Sequence, residues 1–434
     1  LTLKGDDVIL RGDIYQEHME DAMEVQRHQV IVSGGGPAGI GAAIAAARAG
    51  ARVLLVERYG FLGGMATTAL VHPWMSHLAG DRPIIGGVFQ EVVDRLSALG
   101  AYRERSFDPE VLKQVLLEMC LEANVRLRLH SFVTDAVRDG QRVCGIVVHS
   151  KSGGEVFMAD CVVDCTGDAD VAARSGAETE KGRPEDGFVQ PMTLMFRMAN
   201  VDTSRMPARE EINHLYAEAK NAGRIQCPRE NVLWFYTTRP DEIYFNTTRV
   251  VEVDGTSAED LTKAEIEARR QTWQIVEFLK REIPGFERSH LVATGPQIGV
   301  RETRRLVGQY VLTEEDVLSC RRFEDEIAFS SYPIDIHNPR GEGSVIKALP
   351  KGGFYGIPYR CLVPRDLQGF LVAGRPISTT HEAHSSARIQ CVCYATGQAA
   401  GIAAAISAAE GAALSALDAE VVRAEIKKQG GILE

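Results

Sequence analysis

The stretch "VIVSGGGPAGIGAAIAAARAGARVLLVE", residues 30–57, constrains this chain more than any other. Residues 29–33 are apolar and β-branched, as a strand buried on both faces must be, and they run straight into Gly34, Gly36 and Gly39. Residues 40–49 are nearly all Ile, Ala and Gly with Arg48, a helix whose small side chains let it lie close on a sheet. Gly50 ends that helix and "RVLLVE" makes the next strand. Glycines at GxGxxG spacing serve three needs: a tight turn, an approach of backbone N–H groups to a pyrophosphate, and close packing of helix on strand. A bare GxGxxG says little. Here it follows a strand, opens a helix and is trailed 18 residues after Gly39 by Glu57, where a carboxylate can take both ribose hydroxyls of a dinucleotide.

At 434 residues the chain is long enough for two domains, since single cores stop growing at roughly 250–300 residues. Hydrophobic content of 45% and charged content of 25% are those of an ordinary globular protein. A net charge of -11 argues against nucleic acid as a partner, which needs a concentrated basic face. The most apolar run, "ATGQAAGIAAAISAA" at 395–409, is short for a membrane span and reads as a buried helix. Residues 1–28 lack the pattern of a signal peptide and read as a leading arm, so no membrane contact and a cytoplasmic location are expected. None of the nine cysteines falls in a CxxC pair, so neither a disulfide framework nor a metal site is expected.

The fold class is α/β. A Rossmann-like nucleotide domain is expected over 29–180, with helices at about 87–99 and 108–123 and strands in "VRLRLHSFV", "RVCGIVVHS" and "EVFMADCVVDCTG". Between 181 and 350 the character changes to polar interruptions and longer helices such as 257–282, an inserted α+β substrate or cap domain. The strand "GFLVAG" and the Ala-rich style return over 351–434, so the nucleotide domain is discontinuous.

The fingerprint alone does not choose between NAD and FAD. "GGGPAGIGAAIAAARAGARVLLVERYGFLGGMATT" resembles the opening of FAD-dependent oxidoreductases with a glutathione-reductase-type FAD-binding fold. "DCTGDADVAARSGAE", "GVRETRRLVGQYVLTEEDV", "IPYRCLVPRDLQGFLVAGRPIS" and "HEAHSSARIQCVCYATGQAAGIAAA" resemble successive blocks of the branch related to fumarate reductase flavoprotein subunits and aspartate oxidases. The resemblance implies FAD, with Gly34, Gly36, Pro37, Ala38, Gly39, Glu57 and Arg58 at its adenylate half. It places Gly63, Gly64, Met65, Ala66 and Thr67 at the ribityl chain and ring, and Val133 at the adenine. Thr166, Gly167 and Asp168 lie where the chain passes the cofactor again, and Gly374 and Arg375 beneath it, Arg375 suiting the pyrophosphate. Gln398 and Ala399 fall at the ring, on a helix opening near residue 397 whose N-terminus stabilises charge there. That branch often carries a histidine before its glycine pair that bonds the flavin; "YGFLGG" has none, so non-covalent FAD is expected.

For acid–base work the leading candidates are His381 and His384, since His has the side-chain pKa nearest neutrality. Their HxxH spacing does not match the HExxH metalloprotease pattern. Simple hydrogen bonding to backbone is an equal alternative for either. Arg388 would support developing charge. Arg301, Arg304, Arg305 and Arg360 could clamp a substrate carboxylate, or be neutralised by Glu302, Glu314, Glu315 and Asp316 nearby in sequence. Tyr355, Tyr359 and "HPWM" at 72–75 could line a cavity or fill core, and Cys391 and Cys393 read as packed thiols. The expected function is a dehydrogenase or oxidase that moves a hydride between a small polar substrate, a carboxylate among its candidate groups, and flavin N5. An NAD(P)H-dependent flavin monooxygenase and a flavin electron-transfer subunit of a larger complex share the fold. A thiazole-synthase-like or plain NAD-binding role would leave the protein colourless. The composition is compatible with a homo-oligomer.

Overall fold

The computed structural model describes residues 2–4, 7–9 and 26–434. Strand Gln26–Ser33 pairs in parallel with Val53–Val56, and Val53–Val56 in turn with Arg126–Arg128. On its other side runs the long strand Gly153–Asp164, which is parallel to it over Phe157–Asp164 and antiparallel to Arg142–Ser150 at its start. Strand Phe132–Asp139 extends this antiparallel part, and Phe370–Val372 joins the end of the long strand in parallel. A segment distant in sequence thus completes the nucleotide-binding sheet, and the fold is the expected α/β one with a Rossmann-like unit. Of the arm expected over 1–28, Thr2–Lys4 and Asp7–Ile9 form paired strands at the sheet edge, residues 26–28 already belong to the first long strand, and the remainder lies outside the described residues.

The expected helices form as Gly87–Ala98, Pro109–Glu122 and Ala258–Glu282. The second starts where Asp108 accepts the N–H groups of Glu110 and Val111, and the third where Ser257 accepts that of Asp260, each satisfying orphan donors of a first turn. "VRLRLHSFV" is not one strand: His130 takes a left-handed φ of 54°, and the Ser131 N–H turns to the Glu57 carbonyl.

A separate antiparallel sheet runs in the order Trp234–Tyr236, Ile243–Phe245, Phe196–Ala199, His290–Thr294. With helices Arg209–Asn221 and Ala258–Glu282 it encloses its own core, including Phe196, Tyr216, Phe245 and Phe286. Ile327, Phe329 and Ile334 pack into the main core with Trp74 and Tyr355. Helix Gln390–Glu410 is long and apolar enough to cross a membrane, yet most of it is buried among the other elements. It lies against the first helix, Pro37–Arg48, at glycine distance: a Cβ on Gly397 or Gly401 would stand 2.0 Å from the carbonyl oxygen of Ala38 or Ala42.

Candidate active site

The first strand, the glycine turn and the first helix open onto a cavity of about 840 Å³. Gly34 has a φ of +102°, and a Cβ there would stand 2.4 Å from the Cys165 carbonyl oxygen, so only glycine lets the strand end turn beside its neighbour. A Cβ on Gly39 would lie 1.7 Å from the Gly34 carbonyl oxygen, which explains the third glycine as packing. The helix starts at Gly36–Pro37 with no side-chain cap, and Gly36, Pro37 and Ala38 line the cavity, so the uncapped first turn lies at its wall. Glu57 is buried; its Oε2 accepts the Gly35 N–H at 2.6 Å and its Oε1 that of Tyr59 at 2.9 Å. Burial pushes its pKa up, while the two N–H donors and Arg58 oppose that shift.

Of the expected cofactor residues, Gly34, Gly36, Pro37, Ala38, Glu57 and Arg58 line this cavity, as do Gly64, Met65, Thr166, Gly167, Asp168 and Arg375. Arg375 is already engaged, donating to Asp168 at 2.5 Å and to the Val300 carbonyl at 2.8 Å. Others stand behind the wall. Gly63 ties the two loops together by donating to the Gly35 carbonyl at 2.8 Å, Ala66 is buried, and Thr67 donates to the Leu62 carbonyl. Gly374 underlies Ala38, its N–H on Thr396. Val133 is paired with Val148 in the sheet and does not reach the cavity.

Gln398 and Ala399, expected at the ring, do not line the cavity. Their helix begins at Gln390, not near residue 397, so both lie mid-helix and buried. Gln398 Oε1 accepts the Val88 N–H at 3.1 Å, which caps helix Gly87–Ala98. The helix end that does face the cavity carries Ile389 and Gln390; Gln390 accepts from Trp74 Nε1 at 2.9 Å and donates to the Val71 carbonyl.

Among the expected catalytic residues, Arg301 and Arg388 line the cavity and His381, His384 and Arg360 do not. Arg360 sits on the surface, forked onto Asp325 at 2.9 and 3.1 Å. His381 Nδ1 meets Glu302 Oε1 at 2.8 Å, and Arg305 meets the same oxygen at 2.5 Å, a buried network that braces the wall. His384 is fully buried, with both ring nitrogens unpartnered; burial and then Arg305, Arg388 and Arg375 hold its pKa well down, so it stays neutral. Arg304 pairs with Asp170, whereas Asp316 serves Arg321 and Glu314 serves Lys347. Tyr355 and Tyr359 are core residues, but "HPWM" does line the cavity, with His72 stacked on Tyr244 at 4.1 Å. Burial drives His72 down to about 3. The Cys391 and Cys393 thiols are free and buried, each pushed up to about 12 chiefly by that burial.

Sequence reasoning missed Arg229, Tyr332, Asp335 and His337, which complete the wall around Arg301 and Arg388. Arg229 lies in a loop and Asp335 and His337 on the short strand Ile334–His337, and neither "CPREN" nor "DIHNPRGEG" carries a periodic pattern long enough to mark them. Arg301 donates at 2.7 Å to both the Pro191 carbonyl and Thr193 Oγ1, and Arg388 reaches Gln190 Oε1 at 3.4 Å.

The residues present fit an FAD. The uncapped helix start suits a pyrophosphate, Glu57 keeps lone pairs free for ribose hydroxyls, and the cavity continues past Gly64 and Thr166 toward the arginines. In a comparison with known proteins, the chain is 32% identical over 183 residues to the thiamine thiazole synthase of Aeropyrum pernix, which covers 38% of this chain and 63% of that relative's length. Among solved structures, a geranylgeranyl bacteriochlorophyll reductase-like protein of Thermoplasma acidophilum aligns over 94% of this chain and 84% of its own, at 12% identity and a TM-score of 0.45. The myxobacterial chondrochloren halogenase, a FAD-dependent halogenase, aligns over 93% and 79%, at 14% and 0.46. The family model for FAD dependent oxidoreductases matches residues 29–426, nearly the whole chain. The protein is an enzyme whose cofactor is FAD, and the chain belongs to the FAD dependent oxidoreductase family.

Proposed function

We propose that this enzyme is of the dehydrogenase or oxidase type and acts on a small polar substrate in the cavity between the nucleotide domain and the inserted unit. The observation that carries this reading is that one cavity runs from Gly34, Gly36 and Glu57 to the guanidiniums of Arg301 and Arg388. Bound FAD supplies a hydride acceptor at ring N5. The protein's part is to hold and orient. The first helix start receives the pyrophosphate and Glu57 the ribose, while Arg301 and Arg388 fix the substrate. Trp74 and His72, the latter backed by the buried Tyr244, form a wall of rings that keeps water out. Of the two carboxylates beside these arginines, Glu230 is committed to Arg249 and the Gly343 N–H. Asp335, oriented by the Tyr332 hydroxyl at 2.9 Å and held through its own N–H by Ser385, is left to take the substrate's proton. His381 is a positioning residue in this account, acting through Glu302.

The sequence blocks quoted above support kinship with the fumarate reductase and aspartate oxidase branch, and the lack of a histidine in "YGFLGG" supports non-covalent attachment. The test is anaerobic titration of the yellow protein with hydroxy acids, amines and amino acids, and separately with NADPH. Bleaching by one organic class and not by NADPH is the expected result. Rapid bleaching by NADPH alone would instead favour a monooxygenase.

A further inference from the structure

At the end of the cavity away from the glycine turn, four guanidiniums stand against two carboxylates. Arg229 and Arg249 are buried and Arg301 and Arg388 half-buried, while Glu230 and Asp335 are the acids among them. Of the arginines packed around this wall, Arg305 is matched by Glu302, Arg304 by Asp170 and Arg375 by Asp168. Among the described residues Arg229, Arg301 and Arg388 have no carboxylate within ion-pair distance; their partners are Asn231, Thr193, Asn246 and Gln190 and a backbone carbonyl. Arg229 Nη1 and Arg388 Nε are buried with no partner at all. Burial first, and then the neighbouring guanidiniums, pull the Arg301 and Arg229 pKa values down. Arginine does not shed its proton in response, so the cluster keeps two uncompensated positive charges that only an anion can relieve.

His337 adds a directed donor. Its Nδ1 stands 3.3 Å from Arg249 Nη2 and 2.9 Å from Ser344 Oγ. A guanidinium only donates, so Nδ1 is the acceptor and the ring proton sits on Nε2. The nearest acid, Asp335 Oδ2, is 3.8 Å from that Nε2, beyond hydrogen-bond reach. Burial and the four arginines hold the ring neutral.

We propose that this end of the cavity binds its substrate through two negative charges carried on oxygen, as in a dicarboxylate or a phosphate monoester. Arg229, Arg301 and Arg388 grip the oxygens and His337 Nε2–H donates to one of them. This rests on the reading of the cavity as the substrate site.

The test uses the flavin-loaded protein in a low-salt, non-phosphate buffer and reads Kd by calorimetry for succinate, glycerol 3-phosphate, propionate and succinamide. One of the two dianions should bind at least ~10-fold tighter than propionate or succinamide, and which one does so identifies the source of the charge. Arg229→Gln and, independently, Arg388→Gln should each weaken that dianion by ~10-fold or more, with the flavin absorbance unchanged as the control for folding. Equal binding of dianion and monoanion, no binding of either dianion, or unchanged affinity in both variants overturns the proposal. Because binding is read without turnover, the two readings fail separately. A protein that binds a dianion but is bleached by no reductant loses the proposed reaction and keeps the site. One bleached by a neutral alcohol or amine while ignoring both dianions loses only the site.

Discussion

Glu57 is bonded to Gly35 and Tyr59 before any ribose reaches it, so it shapes the turn as well as the ligand. In Glu57→Gln one of those N–H donors faces an amide NH2 group, which costs about 1–3 kcal/mol for a buried unsatisfied group. FAD affinity, read by fluorescence on reconstitution, should fall roughly 10-fold or more; unchanged affinity would remove Glu57 from the cofactor site. Asp170 carries a pH signature. Burial first, then the like charges of Asp168 and Asp164, raise it from 3.8 to about 6, against the pull of Arg304. The folded state therefore keeps a proton the unfolded chain has lost, and this group's stabilisation is present below about pH 4 and lost as the pH rises through about 6. Asp170→Asn has no such slope: its melting temperature relative to the parent should climb between pH 4 and 6 and then level off, and a constant difference would contradict the assignment. The place of Glu57 beside the glycine turn was legible in the sequence because its distance from the glycines is a local consequence of strand–helix–strand length. The exclusion of His381 and His384 from the cavity was not, since their burial depends on Glu302 and the arginines that fold against them.

At the scale of elements, the pairing of helices Pro37–Arg48 and Gln390–Glu410 holds the cofactor loop against the rest of the domain. The Ala- and Gly-rich composition announced that helix, but its start was misplaced because the break at Arg388–Ile389 carries neither Gly nor Pro. Its glycines answer to contact with Ala38 and Ala42 instead of to a flavin ring. Gln398 is the discriminating position. Gln398→Leu removes the acceptor for the Val88 N–H and should cost about 1–3 kcal/mol of stability while leaving the flavin band positions where they are. A spectral shift without loss of stability would return Gln398 to the ring.

Across the whole molecule, the nucleotide half of the site is built from neighbours in sequence and the substrate half from parts that meet only on folding. Arg229 comes from the inserted unit, Arg301 from the segment leading out of it, His337 from a hairpin and Arg388 from the junction of two helices. No spacing rule links them, which is why Arg229 and His337 were passed over. Everything proposed for this wall depends on a flavin lying along the cavity from the glycine turn. The most direct measurement is the visible absorbance of the purified protein before and after denaturation and filtration. The account predicts the two-banded flavin spectrum on the native protein and free FAD in the filtrate afterwards; a colourless protein that takes up no added FAD would contradict it.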